Sequence, residues 1–296
     1  MDSLKQEIKK ELVLIIKNKK ELLNLDDSFI EEKIDKALLN NKKIRKKLFE
    51  IKEIKNLKRS KEVKNFISEI RRVLRQIYGV FDLDIKNKKQ ELIIKLGENY
   101  SQRLMEELLE LHQSTIERIP YYEQLFEEIA SRNKGAKTIL DLGCGFNPYA
   151  TRLLEEKLGV KIDYYASDIS TKNMIDIKKY FSLIGVKGDA KAIDLVTNYQ
   201  ELKTFPPKKV DLVLMFKLLD SLETIKKNVS EKIIDLLLTK AKGFVVSFPT
   251  RSLGGNKVIS NDKRVWFEKL LERKNLVYET FELPNEIFYF FRNKDF

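Results

Sequence analysis

The residues best suited to chemistry lie in one short run, Asp141-Leu142-Gly143-Cys144-Gly145-Phe146-Asn147-Pro148, directly after an apolar stretch. Gly143 and Gly145 let the backbone turn sharply and approach a ligand closely. Asn147 suits a helix N-cap and Pro148 the first helical position, so a helix is expected to start there. A dinucleotide fingerprint asks for a third glycine at 148, where this chain has proline. Asp168, 25 residues after Gly143, is spaced to accept hydrogen bonds from both hydroxyls of a ribose, with Ile169 beside it. Asp194, followed by Leu195, is placed to meet an adenine amino group through its carboxylate or adjoining backbone. Either carboxylate alone could be an ordinary loop residue or N-cap. Three such signals in chain order, at successive strand ends, are the layout of an S-adenosylmethionine (SAM) site.

The elements that must position these residues follow from periodicity. Strand patterns are predicted at 138–142, 163–166, 191–194, 210–216 and 243–248, separated by helical stretches such as 230–240. Strands alternating with helices define an α/β parallel sheet, here a Rossmann-like one. Residues 277–283 and 287–292 flank a Pro284-Asn285-Glu286 turn and read as an antiparallel hairpin at the sheet edge. Upstream, apolar residues recur at helical spacing over 4–16, 29–38, 63–74 and 102–112, with Gly79 as the expected end of the third of these. The sequence thus divides into an all-helical N-terminal domain, 1–112, and a methyltransferase-type domain, 113–296.

With 296 residues, 43% hydrophobic and 34% charged, the chain is globular with a highly charged surface. Its longest apolar runs are far too short to span a bilayer, so no membrane partner is expected. The first ten residues alternate in charge and carry no apolar signal-peptide core. One cysteine and one histidine exclude a disulfide framework, a cysteine zinc cluster and most histidine metal sites, and no metal is expected. A reducing, cytoplasmic setting fits. The net charge of +12 is concentrated: residues 42–75 carry fourteen Lys and Arg against four Glu, a local balance of +10. Such a field suits a polyphosphate partner, the plainer alternative being a solvated helical surface.

Four segments carry a specific likeness: 111–118 (Leu-His-Gln-Ser-Thr-Ile-Glu-Arg), 140–148, Phe216-Lys217-Leu218-Leu219 with Glu223, and 246–255 (Val-Ser-Phe-Pro-Thr-Arg-Ser-Leu-Gly-Gly). In these the chain resembles the aminoglycoside-resistance 16S rRNA (guanine-N7) methyltransferases. Residues 71–81 match more loosely, Phe146 stands where the family usually has leucine, and Asp220 where proline is expected. The resemblance implies SAM as cofactor, S-adenosylhomocysteine as product, and the small ribosomal subunit with its 16S rRNA as partner, approached by a monomer. Cofactor contacts are then expected from His112, Arg118, Gly143, Cys144, Gly145, Asn147, Asp168, Ile169, Asp194, Leu195 and Lys217. Arg118 is the candidate for the cofactor carboxylate, which a guanidinium binds bidentately; a surface arginine is the alternative. His112 either shapes the pocket or caps a helix end.

Guanine N7 carries a free lone pair, so methylation there needs positioning and no general base. Lys217 and Arg251 are the candidates for that positioning. Lys217 could meet guanine O6, hold the cofactor's surroundings or form a structural ion pair, and the Arg251 loop with Gly254 and Gly255 could meet phosphates. Trp266 and Phe267 read as core more than as a stacking platform. Lys42, Lys43, Arg45, Lys46, Lys47, Arg71, Arg72, Arg75 and Arg251 are the expected RNA contacts. Methylation of another RNA position, a small-molecule methyltransferase, and a ribosome-binding assembly factor without activity remain the competing readings.

Overall fold

The computed structural model describes residues 2–19, 22–23, 25–49, 57, 60–78, 86–251 and 258–294. They form two compact units, Met1–Asp84 and Ile85–Phe296. The division falls earlier than position 112, because the helices Lys86–Glu98 and Gln102–Leu109 pack within the second unit.

The first unit holds α1 (Asp2–Lys17), α2 (Asp27–Asn40), α3 (Lys42–Phe49) and α4 (Lys61–Tyr78). Their apolar residues recur every three to four positions and turn inward: Ile8, Leu12 and Ile16 from α1, Ile30 and Ile34 from α2, Ile44 and Leu48 from α3, Val63, Ile67, Ile70 and Leu74 from α4. Each such side chain contributes roughly 1.5–3 kcal/mol on burial. Asn41 Oδ1 accepts from the Ile44 amide and starts α3; Ser60 Oγ does the same for Val63 and α4. The expected stop at Gly79 lies outside the described residues.

The second unit adds α5 (Lys86–Glu98), α6 (Gln102–Leu109), α7 (Gln113–Ile116) and α8 (Tyr122–Arg132) ahead of a seven-stranded sheet. The strands are β1 (Thr138–Leu142), β2 (Asp163–Asp168), β3 (Lys187–Ala192), β4 (Val210–Phe216), β5 (Ala241–Pro249), β6 (Tyr278–Leu283) and β7 (Glu286–Arg292). Their order is β3-β2-β1-β4-β5-β7-β6, with β1 to β5 parallel and β7 antiparallel to both β5 and β6. Alternate residues of each strand face two cores. Ile139, Leu212, Leu214 and Val245 join α5, α6, α8, α9 (Thr151–Leu158) and α10 (Thr171–Ile184). Leu140, Val213, Met215, Val246 and Phe248 join α11 (Leu219–Ile225), α12 (Val229–Leu238) and α13 (Val265–Arg273).

Three local expectations are corrected. β3 starts four residues before the expected strand; Lys-Gly-Asp-Ala-Lys-Ala has no β-branched residue and pairs on one side only, as the edge strand. Asn147 does not cap a helix: Phe146 precedes a single 3-10 turn, Asn147–Ala150, that leads into α9. Glu286 opens β7, so the hairpin turn is Pro284-Asn285 alone.

Candidate active site

The strand order reverses between β1 and β4, and open parallel sheets bind ligands outside the carboxyl ends of strands at that point. Gly143, Gly145, Asp168, Asp194 and Lys217 all lie at those ends. Gly143 and Gly145 both have positive φ, and a Cβ at Gly145 would stand 3.0 Å from His112 Cε1. At Gly143 it would stand 2.7 Å from Leu218 Cδ1, so neither position has room for a side chain.

Asp168 is fixed by backbone amides. Its Oδ1 accepts from Ile169 N (2.7 Å) and Ser170 N (3.2 Å), and its Oδ2 from Gly145 N (3.1 Å). The carboxylate therefore ties the β2–α10 loop to the glycine loop. Asp194 lies two residues beyond β3, where its Oδ1 accepts from Val196 N and its carbonyl from Thr197 N and Asn198 N, while Leu195 is buried. Cys144 is buried, and burial pushes its thiol up, so it stays protonated and is no nucleophile.

Sequence reasoning did not single out Asp141. Its Oδ2 accepts from Asn147 Nδ2 (2.8 Å) and the Tyr164 hydroxyl (2.7 Å), and its Oδ1 is buried without a hydrogen-bond partner. An unsatisfied buried carboxylate oxygen in a glycine loop fits the ammonium of an amino-acid-bearing cofactor. With the fixed Asp168 beside this positive-φ glycine loop, the residues fit SAM. A lysine-lined groove of about 1110 Å³ lies elsewhere, at the amino ends of β4 and β5, beside Lys208 and Lys240.

A buried ion network adjoins the loop. Arg118 is 3% exposed and donates from Nε (3.1 Å) and Nη2 (3.0 Å) to Glu286. Ser247 Oγ donates to Glu286 as well. Lys217, in the left-handed region at φ 51, donates from Nζ to Glu117 (2.8 Å), and that Nζ lies 3.7 Å from Glu286. Burial alone would lower the Arg118 pKa, and Glu286 together with Tyr122 more than offsets it. Arg118, the candidate for the cofactor carboxylate, is held bidentately by Glu286, and of the contacts open to Lys217 the ion pair is formed, with Glu117. Glu286 and Ser247 were missed; the signal was a serine within the apolar run 243–248, which needs a buried hydrogen-bond partner.

His112 follows α6 and its ring lies 4.8 Å from that of Phe146, tilted by 32°; its carbonyl accepts from Thr115 N and Ile116 N. It lines the glycine loop, its Cε1 3.0 Å from where a Cβ on Gly145 would stand. Phe267 is fully buried, and Trp266 packs edge-on against Phe248. Arg251 is exposed and bridges Val258; Gly254 and Gly255 lie outside the described residues. In the first unit, Lys42, Lys43, Lys46 and Lys47 are exposed along α3 and Arg45 is half-buried. Lys47 lies 3.5 Å from Glu62, and Arg72 pairs with Glu69. The Arg71 guanidinium donates to the Ile15 and Ile16 carbonyls, closing the last turn of α1. Arg75 is half-buried on the same helix.

Two buried groups titrate in opposite senses. Burial, with Lys89, Arg118 and Lys217 nearby, pushes His112 down to about 3. Burial pushes the Asp141 carboxyl up to about 7, against the hydrogen bonds from Asn147 and Tyr164. Between about pH 4.5 and 6 the unfolded chain carries a protonated histidine and an ionised aspartate, and the folded protein carries neither. His112 therefore removes stability as pH falls below the unfolded histidine value. Asp141 contributes stability at low pH and loses it as pH rises through about 7. Each changes stability by about 1.4 kcal/mol per pH unit, and the two offset each other. His112→Gln should gain stability when the pH is lowered from 6 to 5, and Asp141→Asn should lose it. Denaturant unfolding of both variants at the two pH values reads this; parallel trends would contradict it.

The seven-stranded sheet with its glycine loop and ribose-type carboxylate defines the class: a SAM-dependent methyltransferase fold preceded by helices. Residues 68–290 match the family described as ribosomal RNA methyltransferase (FmrO), and the chain belongs to that family. A 16S rRNA (guanine(1405)-N(7))-methyltransferase from Frankia casuarinae is 29% identical over 185 residues, 62% of this chain and 62% of that protein. One of the same name from Proteus mirabilis is 26% identical over 295 residues, covering 90% of this chain and 98% of that protein. Among solved structures, the 16S rRNA methyltransferase RmtF in complex with S-adenosyl-L-homocysteine aligns over 97% of this chain and 98% of its own, at 24% identity and a TM-score of 0.69. Phe146 and Asp220 sit in an intact loop and an intact helix, α11, so neither departure changes the fold.

Proposed function

We propose that this protein transfers a methyl group from SAM to N7 of a guanine in 16S rRNA of the small ribosomal subunit, at the position named for its relatives. The observation that carries this reading is the Asp168 carboxylate held by the Gly145, Ile169 and Ser170 amides, at the strand reversal of a chain in the rRNA methyltransferase family. When bound, SAM supplies an electrophilic methyl on a sulfonium. Asp168 and Ile169 would hold its ribose, Asp194 and Leu195 its adenine, Asp141 Oδ1 its ammonium, and Arg118, shared with Glu286, its carboxylate. The acceptor N7 needs no proton removed. That agrees with a neutral His112, a protonated Cys144 and a Lys217 held by Glu117.

N7 is hidden in the deep groove of A-form RNA, so the target base must leave its stack. Lys217 and Arg251 would hold the displaced nucleotide at the carboxyl ends of β4 and β5. The first unit would dock on folded rRNA through phosphate contacts along α3, which read shape and position, not sequence.

Replacing Lys42, Lys43, Lys46 and Lys47 together by Glu should weaken binding to purified small subunits by more than tenfold and leave cofactor affinity unchanged. It should also flatten the salt dependence, by roughly 0.7–0.9 in log–log slope for each phosphate that is no longer neutralised. Filter binding and labelled-methyl incorporation from low to high salt measure both. Methylation at the normal rate across salt concentrations would make this stretch a solvated face only.

A further inference from the structure

Of the described lysine side chains on α5, Lys88 and Lys95 are exposed, whereas Lys89 is buried at 6% exposure. A buried ammonium is costly unless it is paired and hydrogen-bonded. Lys89 Nζ meets three residues: Asn173 Oδ1 at 2.7 Å, Asp176 Oδ2 at 2.8 Å, and the ring of Phe146, with its centroid at 4.4 Å.

These three come from two segments. Phe146 belongs to the glycine loop after β1. Asn173 and Asp176 belong to α10, and the Asn173 amide is capped by Ser170, two residues after Asp168. The glycine loop and the β2–α10 loop already share one tie, from Gly145 N to Asp168 Oδ2. Lys89 supplies a second tie between the same two segments, from a helix that precedes the sheet in sequence. An ammonium can face the ring on one side while donating to Asn173 and pairing with the Asp176 charge on another; an apolar residue could pack on Phe146 but would leave Asp176 unpaired.

We propose that Lys89 is a positioning residue for the methyl donor, holding the glycine loop in register with the ribose-binding carboxylate. The proposal rests on SAM occupying the loop between Gly143 and Asp168. The competing role is purely structural, with Lys89 doing no more than neutralise Asp176.

Two variants separate these roles. Lys89→Met breaks the ion pair and strands Asp176, so it should lower both stability and cofactor affinity. Lys89→Met combined with Asp176→Asn removes the stranded charge, and Gln90, which donates to Asp176 Oδ1 at 2.6 Å, can still donate to the asparagine oxygen. The double variant should regain a melting temperature close to that of the unaltered protein. Its dissociation constant for S-adenosylhomocysteine by calorimetry should stay at least tenfold weaker. With small subunits as substrate, KM for SAM should rise by a similar factor while kcat at saturating SAM stays within about threefold, the split expected when binding alone is lost. Asp168→Ala is measured alongside. If it weakens binding while the double variant binds normally, Lys89 is structural and the proposal is overturned. If both Lys89 variants fail to fold, Lys89 is a folding residue and the proposal is likewise overturned. If Asp168→Ala also binds normally, the cofactor placement itself is wrong.

Discussion

Glu286→Ala should cost the protein about 3–5 kcal/mol of folding stability, the loss expected when one partner leaves a buried ion pair and strands the other. Arg118 is 3% exposed, with Nε and Nη2 both committed to this carboxylate. Ser247 Oγ also donates to Glu286, and Lys217 lies 3.7 Å away. Removing the carboxylate therefore leaves two cations and a hydroxyl facing each other at the carboxyl ends of β4 and β5. Glu286→Gln keeps the side-chain shape and one acceptor, so it should cost less than the alanine change. Denaturant unfolding of both variants checks the order. A loss below about 1 kcal/mol for Glu286→Ala would mean that Arg118 finds water or another acceptor, and the four side chains would not act as one buried unit.

The second large effect is expected on catalysis alone. Arg251→Ala should depress methyl transfer about a hundredfold, or roughly 2–3 kcal/mol, the worth of one charged hydrogen-bonding group at a phosphate. Arg251 is exposed just past β5, so neither cofactor affinity nor thermal stability should change appreciably. Single-turnover methylation of small subunits, run with calorimetry and a melting curve, separates these readouts. A large loss of stability would make Arg251 a structural ion-pair partner, and its role at the RNA would fail.

Much of this architecture was legible from sequence because period and punctuation agree. Thr138–Leu142 and Val210–Phe216 are apolar, bounded runs, and a central strand buried on both faces needs that composition. The glycine loop was legible because Gly143 and Gly145 occupy backbone conformations that other residues avoid. Lys187–Ala192 was shifted, since an edge strand rich in lysine carries little hydrophobic signal. Partnership was the harder property. Arg118 and Glu286 are 168 positions apart, and nothing local says that one will close on the other. Lys89 looks like its neighbours Lys86 and Lys88, and only the packing of α5 within the second unit turns it inward. Arg71 sits among basic residues yet serves the carbonyls that end α1, a need set by tertiary contact and not by charge.

The most direct test is to map the modification itself. Purified, unmethylated small subunits are incubated with this protein and SAM, and the 16S rRNA is treated with borohydride and aniline, which cleave the chain at N7-methylguanine. Primer extension should then stop at one guanine, the position named for the relatives, and the stop should disappear with the Asp168→Ala protein. Labelled methyl groups entering the rRNA without any borohydride/aniline-dependent stop would contradict transfer to guanine N7.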